Sequence, residues 1–155
     1  MIYIGIDPGP DYVAWAMIID DNYPVHRLMS GTGRIDECFL SGRSRIEDGK
    51  YIAVEVLECF GMPIGKSTIE TAYTIGAILD RFRGEVLRIT KNQTQLCLCR
   101  TTKAKDANMK RALKDIYGEP GTKKNPGGTY GFKNHTWDAL AVAHTLKTMV
   151  ENKEV

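Results

Sequence analysis

Ile2-Tyr3-Ile4-Gly5-Ile6-Asp7-Pro8-Gly9-Pro10 sets isoleucine at every second position up to an acid, then stops at Pro-Gly-Pro. Strict alternation is the period of a strand, and the proline pair cannot extend it, so a buried strand ends in a turn at Asp7. Beyond that turn, Tyr12 to Ile19 is apolar and rich in strand formers, Asp20-Asp21-Asn22 is turn chemistry, and Val25 to Gly33 returns as a third strand. The opening is therefore a β-meander. Arg34 to Gly49 is polar, with Ile35, Phe39 and Ile46 spaced for a short amphipathic helix, and Tyr51 to Leu57 is an apolar strand broken only by Glu55. Ser67 to Phe82 repeats Ile69, Ala72, Tyr73, Ile75, Gly76 and Leu79 at helical spacing, and Glu85 to Ile89 is a fifth, short strand. Strand, helix, strand implies a parallel crossover. Asp106 to Tyr117 is a helix with Met109, Leu113 and Ile116 inward, ended by Gly118 and Pro120; Gly121 to Gly131 is a Gly/Lys/Pro loop. A last helix begins near Asn134 and shows Trp137, Leu140, Ala141 and His144 on one face. The sequence thus predicts an α/β chain with a five-stranded mixed sheet flanked by helices.

At 155 residues the chain reads as one domain over residues 1–155, long enough to bury roughly 70% of its unfolded surface without disulfide or structural metal. No apolar run approaches the ~20 residues that cross a bilayer, and the front of the sequence lacks the basic and small-residue marks of a secretory signal. Cys38, Cys59, Cys97 and Cys99 make no CxxC pair, so they read as reduced, buried thiols in a cytoplasmic protein rather than as a zinc site. The net charge is +2, but residues 81–124 carry 12 Lys/Arg against 4 Asp/Glu, leaving 9 against 15 elsewhere. A basic region beside an acidic one suits a nucleic-acid enzyme, cations for phosphates and clustered carboxylates for metal; a solvated Lys-rich helix produces the same count.

Three acids stand where an acid needs a reason. Asp7 ends the first strand, Glu55 interrupts the fourth, and Asp138 lies in the first turns of the last helix. Unpaired carboxylates in such apolar runs are costly, so something must hold them charged. Each also has a plain structural reading: Asp7 as a cap for the turn at Pro8-Gly9, Glu55 as a partner for a lysine, Asp138 as an acid favoured at a helix N-terminus.

Gly5-Ile6-Asp7-Pro8-Gly9 resembles the first strand of RuvC-type Holliday junction resolvases, in the ribonuclease H-like superfamily. Ala53-Val54-Glu55 resembles that family's second acidic motif, and Lys66-Ser67-Thr68 and Thr74-Ile75-Gly76 its following helix. Thr102-Lys103-Ala104-Lys105-Asp106 is similar to its basic turn, and His135-Thr136-Trp137-Asp138-Ala139-Leu140-Ala141-Val142-Ala143 to its C-terminal acidic helix. The stretch from Arg100 to Asn108 and the loop Gly121-Thr122-Lys123-Lys124-Asn125-Pro126-Gly127 look closest to phage-type members, which would place the protein in a host's cytoplasm.

The resemblance implies a ribonuclease H-like fold and a homodimeric, metal-dependent endonuclease that cuts Holliday junctions or other branched DNA by paired phosphodiester hydrolysis. It implies Asp7, Glu55, Asp138 and His135 as catalytic and metal-binding residues, with two Mg²⁺ per site, Mn²⁺ substituting, and no nucleotide cofactor. Carboxylates gathered at one sheet edge repel unless a cation neutralises them, and hard oxygen ligands select such ions. His135 precedes Asp138 by three residues, so both project from one helical face, where the imidazole can bind metal or handle a proton. Lys66, Lys91, Arg100, Lys103, Lys105, Lys110, Arg111, Lys123 and Lys124 become the DNA-binding set, and Tyr130, Phe132 and Lys133 a stack or wedge for an opened base. Glu58 is an alternative to Glu55 as ligand. His144 reads as a core or interface residue, His26 as surface, and Trp15, Trp137 and the methionines as packing. A non-catalytic junction-binding module and an RNA-processing nuclease on the same fold stay open; an actin-like ATPase needs two such domains, for which this chain has no room.

Overall fold

A computed structural model describes residues 1–20, 27–34, 50–59, 61, 63–82 and 86–152. In chain order the strands are β1 (Ile2–Pro8), β2 (Val13–Ile19), β3 (Arg27–Gly33), β4 (Lys50–Val56) and β5 (Leu87–Thr90). The helices are α1 (Lys66–Arg81), between β4 and β5, then α2 (Lys91–Cys99), α3 (Asp106–Tyr117) and α4 (Thr136–Glu151). The sheet has the order β3-β2-β1-β4-β5, with antiparallel pairing across the meander and parallel pairing of β1 with β4 and β4 with β5. This is the mixed five-stranded sheet expected from the sequence.

Alternation along β1 sorts its side chains between two layers. Ile4 and Ile6, with Ile52 and Val54 of β4, pack against Ile75 and Ile78 of α1 and Phe82 just beyond it. Tyr3, with Ala16, Ala53 and Ile89, packs in the other layer against Leu140, Ala143 and Leu146 of α4. Gly5 and Asp7 share the parity of Tyr3. A Cβ at Gly5 would land on the carbonyl oxygen of Ala139 and the backbone nitrogen of Ala143. Strand β1 and helix α4 therefore touch backbone to backbone, which only glycine opposite alanine permits.

The residues spaced along α1 divide between two faces: Thr71, Ile75 and Ile78 are buried, whereas Ala72, Gly76, Ile69 (45% exposed) and Tyr73 (73%) face solvent. Other expectations are corrected. On α3 the third inward residue is Tyr117, not Ile116, which is 49% exposed. Residues 91–99, whose cysteines alternate with apolar neighbours, form a helix. Thr90 Oγ1 accepts from Gln93 N at 3.3 Å and Gln93 Oε1 from Thr90 N at 2.8 Å, a capping box that starts α2 as β5 ends. Cys97 and Cys99 are half-buried, Cys59 is exposed, and Met1 and Met29 are exposed rather than packed. The expected helix between Arg34 and Gly49, with Cys38, and the turn carrying His26 fall outside the described residues. No helix among the described residues is long and apolar enough to cross a membrane.

Candidate active site and its basic flank

The parallel register pairs Ile6 with Val54 and Val54 with Arg88, so Asp7, Glu55 and Ile89 come next along three neighbouring strands. Lys91 follows two residues after Ile89, at the first position of α2. Two acids and a lysine thus finish adjacent strands at their carboxyl ends, on the α4 side of the sheet. Helix α4 lays its first turn over that edge. Asn134, held at φ +43°, and the bond from Ala139 N to His135 O at 3.0 Å fix how the chain enters the helix.

His135 Nδ1 stands 3.0 Å from Asp7 Oδ2 and 3.9 Å from Asp138 Oδ2. An ionised carboxylate only accepts, so the ring donates from Nδ1 to Asp7 and leaves Nε2 unprotonated when neutral. Ligand atoms of Asp7, His135 and Asp138 all lie within 4.8 Å of one another. Lys91 Nζ donates to Asp138 Oδ1 at 2.8 Å and lies 3.2 Å from Asp106 Oδ1 at the start of α3. Burial raises the Asp7 carboxyl to about 6, helped by Asp138 and opposed by His135 and Lys91. Glu55 is raised to about 7, again by burial first; Lys91 pulls it down while Asp7, Asp138 and Asp106 push it up. Burial lowers the Lys91 ammonium, but Asp138, Glu55 and Asp106 outweigh that and hold it above the ordinary lysine value.

Strand β1 and helix α4 with its N-cap therefore bring Asp7, His135 and Asp138 within ligand reach of one another, while Glu55, on the neighbouring β4, lies outside that group and meets it through the charges of Lys91, Asp7 and Asp138. Glu58 is exposed, two residues past the end of β4. Lys91, expected on a DNA surface, instead supplies the cation inside the cluster, and Asp106 joins it. No sequence signal separates this lysine from those of the basic flank; the parallel register of β5 against β4 does.

Arg100, Lys103, Lys105, Lys110, Arg111, Lys123 and Lys124 are all exposed, along α2 to α3 and the loop after it. Arg100 caps α2 in the left-handed region (φ 59°). Lys123 and Lys124 form the tip of a tight hairpin closed by Thr122 N to Asn125 O (3.0 Å) and the reciprocal bond (3.1 Å). Lys66 starts α1 and lies 3.5 Å from Glu70. Of the aromatic wedge residues, Tyr130 is 46% exposed, whereas Phe132 is buried against Trp137 with ring centroids 5.6 Å apart, so Phe132 belongs to the core. His144 is half-buried and hydrogen-bonded through Nδ1 to Tyr117 Oη at 2.8 Å.

The donor set fits a hard divalent cation: the carboxylates of Asp7 and Asp138 with the His135 imidazole, and Glu55 on the next strand, the Asp7 and Glu55 carboxyls being raised by burial and by repulsion from neighbouring acids that a cation would relieve.

No protein-family model and no curated protein matches the sequence. Among solved structures, Thermus thermophilus RuvC matches at a TM-score of 0.69 and 18% identity, over 99% of this chain and 97% of that one. T. thermophilus RuvC in complex with Holliday junction substrate matches at 0.68 and 18% identity, over 97% and 96%. The chain therefore has the RuvC fold, a ribonuclease H-like mixed sheet between helical layers.

Proposed function

We propose that this chain is a metal-dependent, structure-selective endonuclease that cuts Holliday junctions or other branched DNA by paired phosphodiester hydrolysis. The observation that carries the reading is the convergence of Asp7, His135 and Asp138 at one sheet edge, with Glu55 coupled to them from the adjacent strand, beside a flank of exposed lysines and arginines. The fold shared with a RuvC bound to a Holliday junction supports the choice of substrate. Two Mg²⁺, or Mn²⁺ in their place, held by the three carboxylates would polarise the attacking water and stabilise the leaving 3′ oxygen.

The chain's own residues divide the remaining work. Asp7 orients the His135 ring, whose exposed Nε2 takes the proton of the attacking water. Lys91 holds the Asp138 carboxylate in place. Arg100, Lys103, Lys105, Lys110, Arg111, Lys123, Lys124 and Lys66 neutralise phosphates of the arms. The solvent face of α1, with Ile69 and Tyr73, offers an apolar surface to a second copy, so that two sites nick two strands about a two-fold axis. Sedimentation with and without a junction tests that pairing, and a monomer in both states refutes it.

The deciding experiment compares labelled four-way junction, linear duplex and RNA–DNA hybrid, each with Mg²⁺ or with chelator. Mg²⁺-dependent cutting of the junction, with the duplex spared, is the expected result. Binding without cutting would make the chain a junction-binding module, and preferential cutting of the hybrid would make it an RNA-processing nuclease.

A further inference from the structure

His135 is the shared wall of two cavities. One, of about 330 Å³, lies between α3 and the start of α4 and is bounded by Asp106, Lys110, Asn134, Trp137 and Asp138 as well as His135. The other, of about 500 Å³, runs from Asp7 past Tyr12 and Leu57 to Thr71. A strand whose phosphate sits over Asp7 and Asp138 thus has a recess on either side. The smaller recess lies within the ~300–1,000 Å³ range of pockets that take small organic groups.

Its walls are built for a ring beside a phosphate. The floor is apolar, with Met109 and Leu113 of α3 buried under it. Trp137 forms one wall and is 6% exposed; its Nε1 is buried with no hydrogen-bond partner among the described residues, an uncommon state for an indole. Lys110 Nζ lies over the indole, 5.0 Å from the ring centroid, on an otherwise exposed side chain. A cation–π contact at an exposed site is weak beside a charge-assisted bond to phosphate. A phosphate at this point would draw the ammonium away, and the indole face under Lys110 would then be open to stacking by a base.

Resting on the nuclease reading above, we propose that this cavity seats the base of a nucleotide adjoining the scissile phosphate. Trp137 takes the unpaired base and Lys110 the neighbouring phosphate, which makes them specificity and positioning residues of the site. The occupant is a base rather than a peptide or free metabolite because the recess is continuous with the cluster through His135 and Asp138, and the exposed Lys110 lines it.

The test is a thermodynamic cycle on four-way junctions in chelator, read by fluorescence anisotropy, with single-turnover cleavage in Mg²⁺ alongside. An abasic site is placed one nucleotide to the 5′ side of the cut, or one to the 3′ side. One of these positions should weaken parent binding about tenfold. The same lesion should cost Trp137→Phe and Lys110→Met markedly less, because the partner of the missing base is already altered. Equal penalties in parent and variants, or no penalty at either position, would overturn the assignment while junction cutting by the parent left the nuclease reading intact. If the parent neither binds nor cuts any branched DNA, both fall. Lys110 is on the surface of α3, so Lys110→Met decides the matter should Trp137→Phe fail to fold.

Discussion

Lys91 Nζ lies 2.8 Å from Asp138 Oδ1, an ion pair joining residues 47 apart in sequence, and it is the positive charge around which the acids of the cluster are arranged. Its side chain is one-third exposed and that of Asp138 one-quarter. Lys91→Met keeps the length and removes the charge. In chelator at neutral pH it should cost about 1–2 kcal/mol, less than a fully buried pair, and lower Tm by roughly 2–8 °C. Mg²⁺ should restore more of that loss in the variant than it adds to the parent. Melting curves with and without Mg²⁺ check this, and an identical Mg²⁺ response would place the ion away from Asp138.

The raised carboxyls give the metal-free chain a pH dependence of definite sign. Asp7 at about 6 and Glu55 at about 7 lie above their ordinary values of 3.8 and 4.5. The folded chain therefore binds more protons than the unfolded one between roughly pH 4 and 7, and stability falls as pH rises through that window. In chelator, Tm should drop by a few degrees from pH 5.5 to pH 8 on account of these two groups. Asp7→Asn should flatten the slope, and Mg²⁺ should oppose the drop, since it binds the deprotonated ligands. A parent whose Tm rises over that range and an Asn variant that follows it would contradict the assignment.

Asp7→Asn and Glu55→Gln should each abolish cleavage yet leave junction affinity in chelator within a few-fold of the parent, because phosphate contacts lie mainly on the basic flank. Glu58→Gln, on an exposed residue past the strand end, should cut at the parent rate. Normal cutting by Glu55→Gln and loss in Glu58→Gln would reverse the ligand choice.

His135→Ala should slow cleavage at saturating Mg²⁺ by a factor on the order of 10²–10⁴, the usual cost of a positioned proton carrier. Junction affinity and Tm should be retained, the ring being 77% exposed. His135→Asp should recover part of the rate as a metal ligand. Parent-rate cleavage by the alanine variant would reduce His135 to a scaffold residue.

Replacing Lys103 and Lys105 together by Ala should shallow the dependence of log affinity on log salt by up to about two ion equivalents. Titration across a range of NaCl concentrations reads the slope, and an unchanged slope puts the DNA elsewhere.

Asp7 and Glu55 were legible because each is a lone acid in an apolar strand, and a period of two assigns each to a face without reference to the rest of the chain. Lys91 was not legible as part of the site, since a charge count cannot separate a lysine that meets phosphate from one that neutralises carboxylates; only the parallel register of β5 against β4 does that. Periodicity correctly placed α1, yet it reports which residues share a face and not what that face meets, so it does not separate the sheet-facing Ile75 and Ile78 from the solvent-facing Ile69 and Tyr73. Helix α2 was missed through its weak apolar patterning. Thr90 and Gln93, three apart, carried its start signal all along.

The contact of Gly5 with Ala139 and Ala143 leaves no compliant layer between the strand that bears Asp7 and the helix that bears Asp138. Elsewhere side chains can absorb a shift by changing rotamer; here two main chains bear directly on each other. The gap across which metal ligands must reach is therefore a rigid dimension of the scaffold. Substitutions on the basic flank can reshape which DNA is held without disturbing that dimension, so recognition and chemistry are free to diverge independently on one small frame.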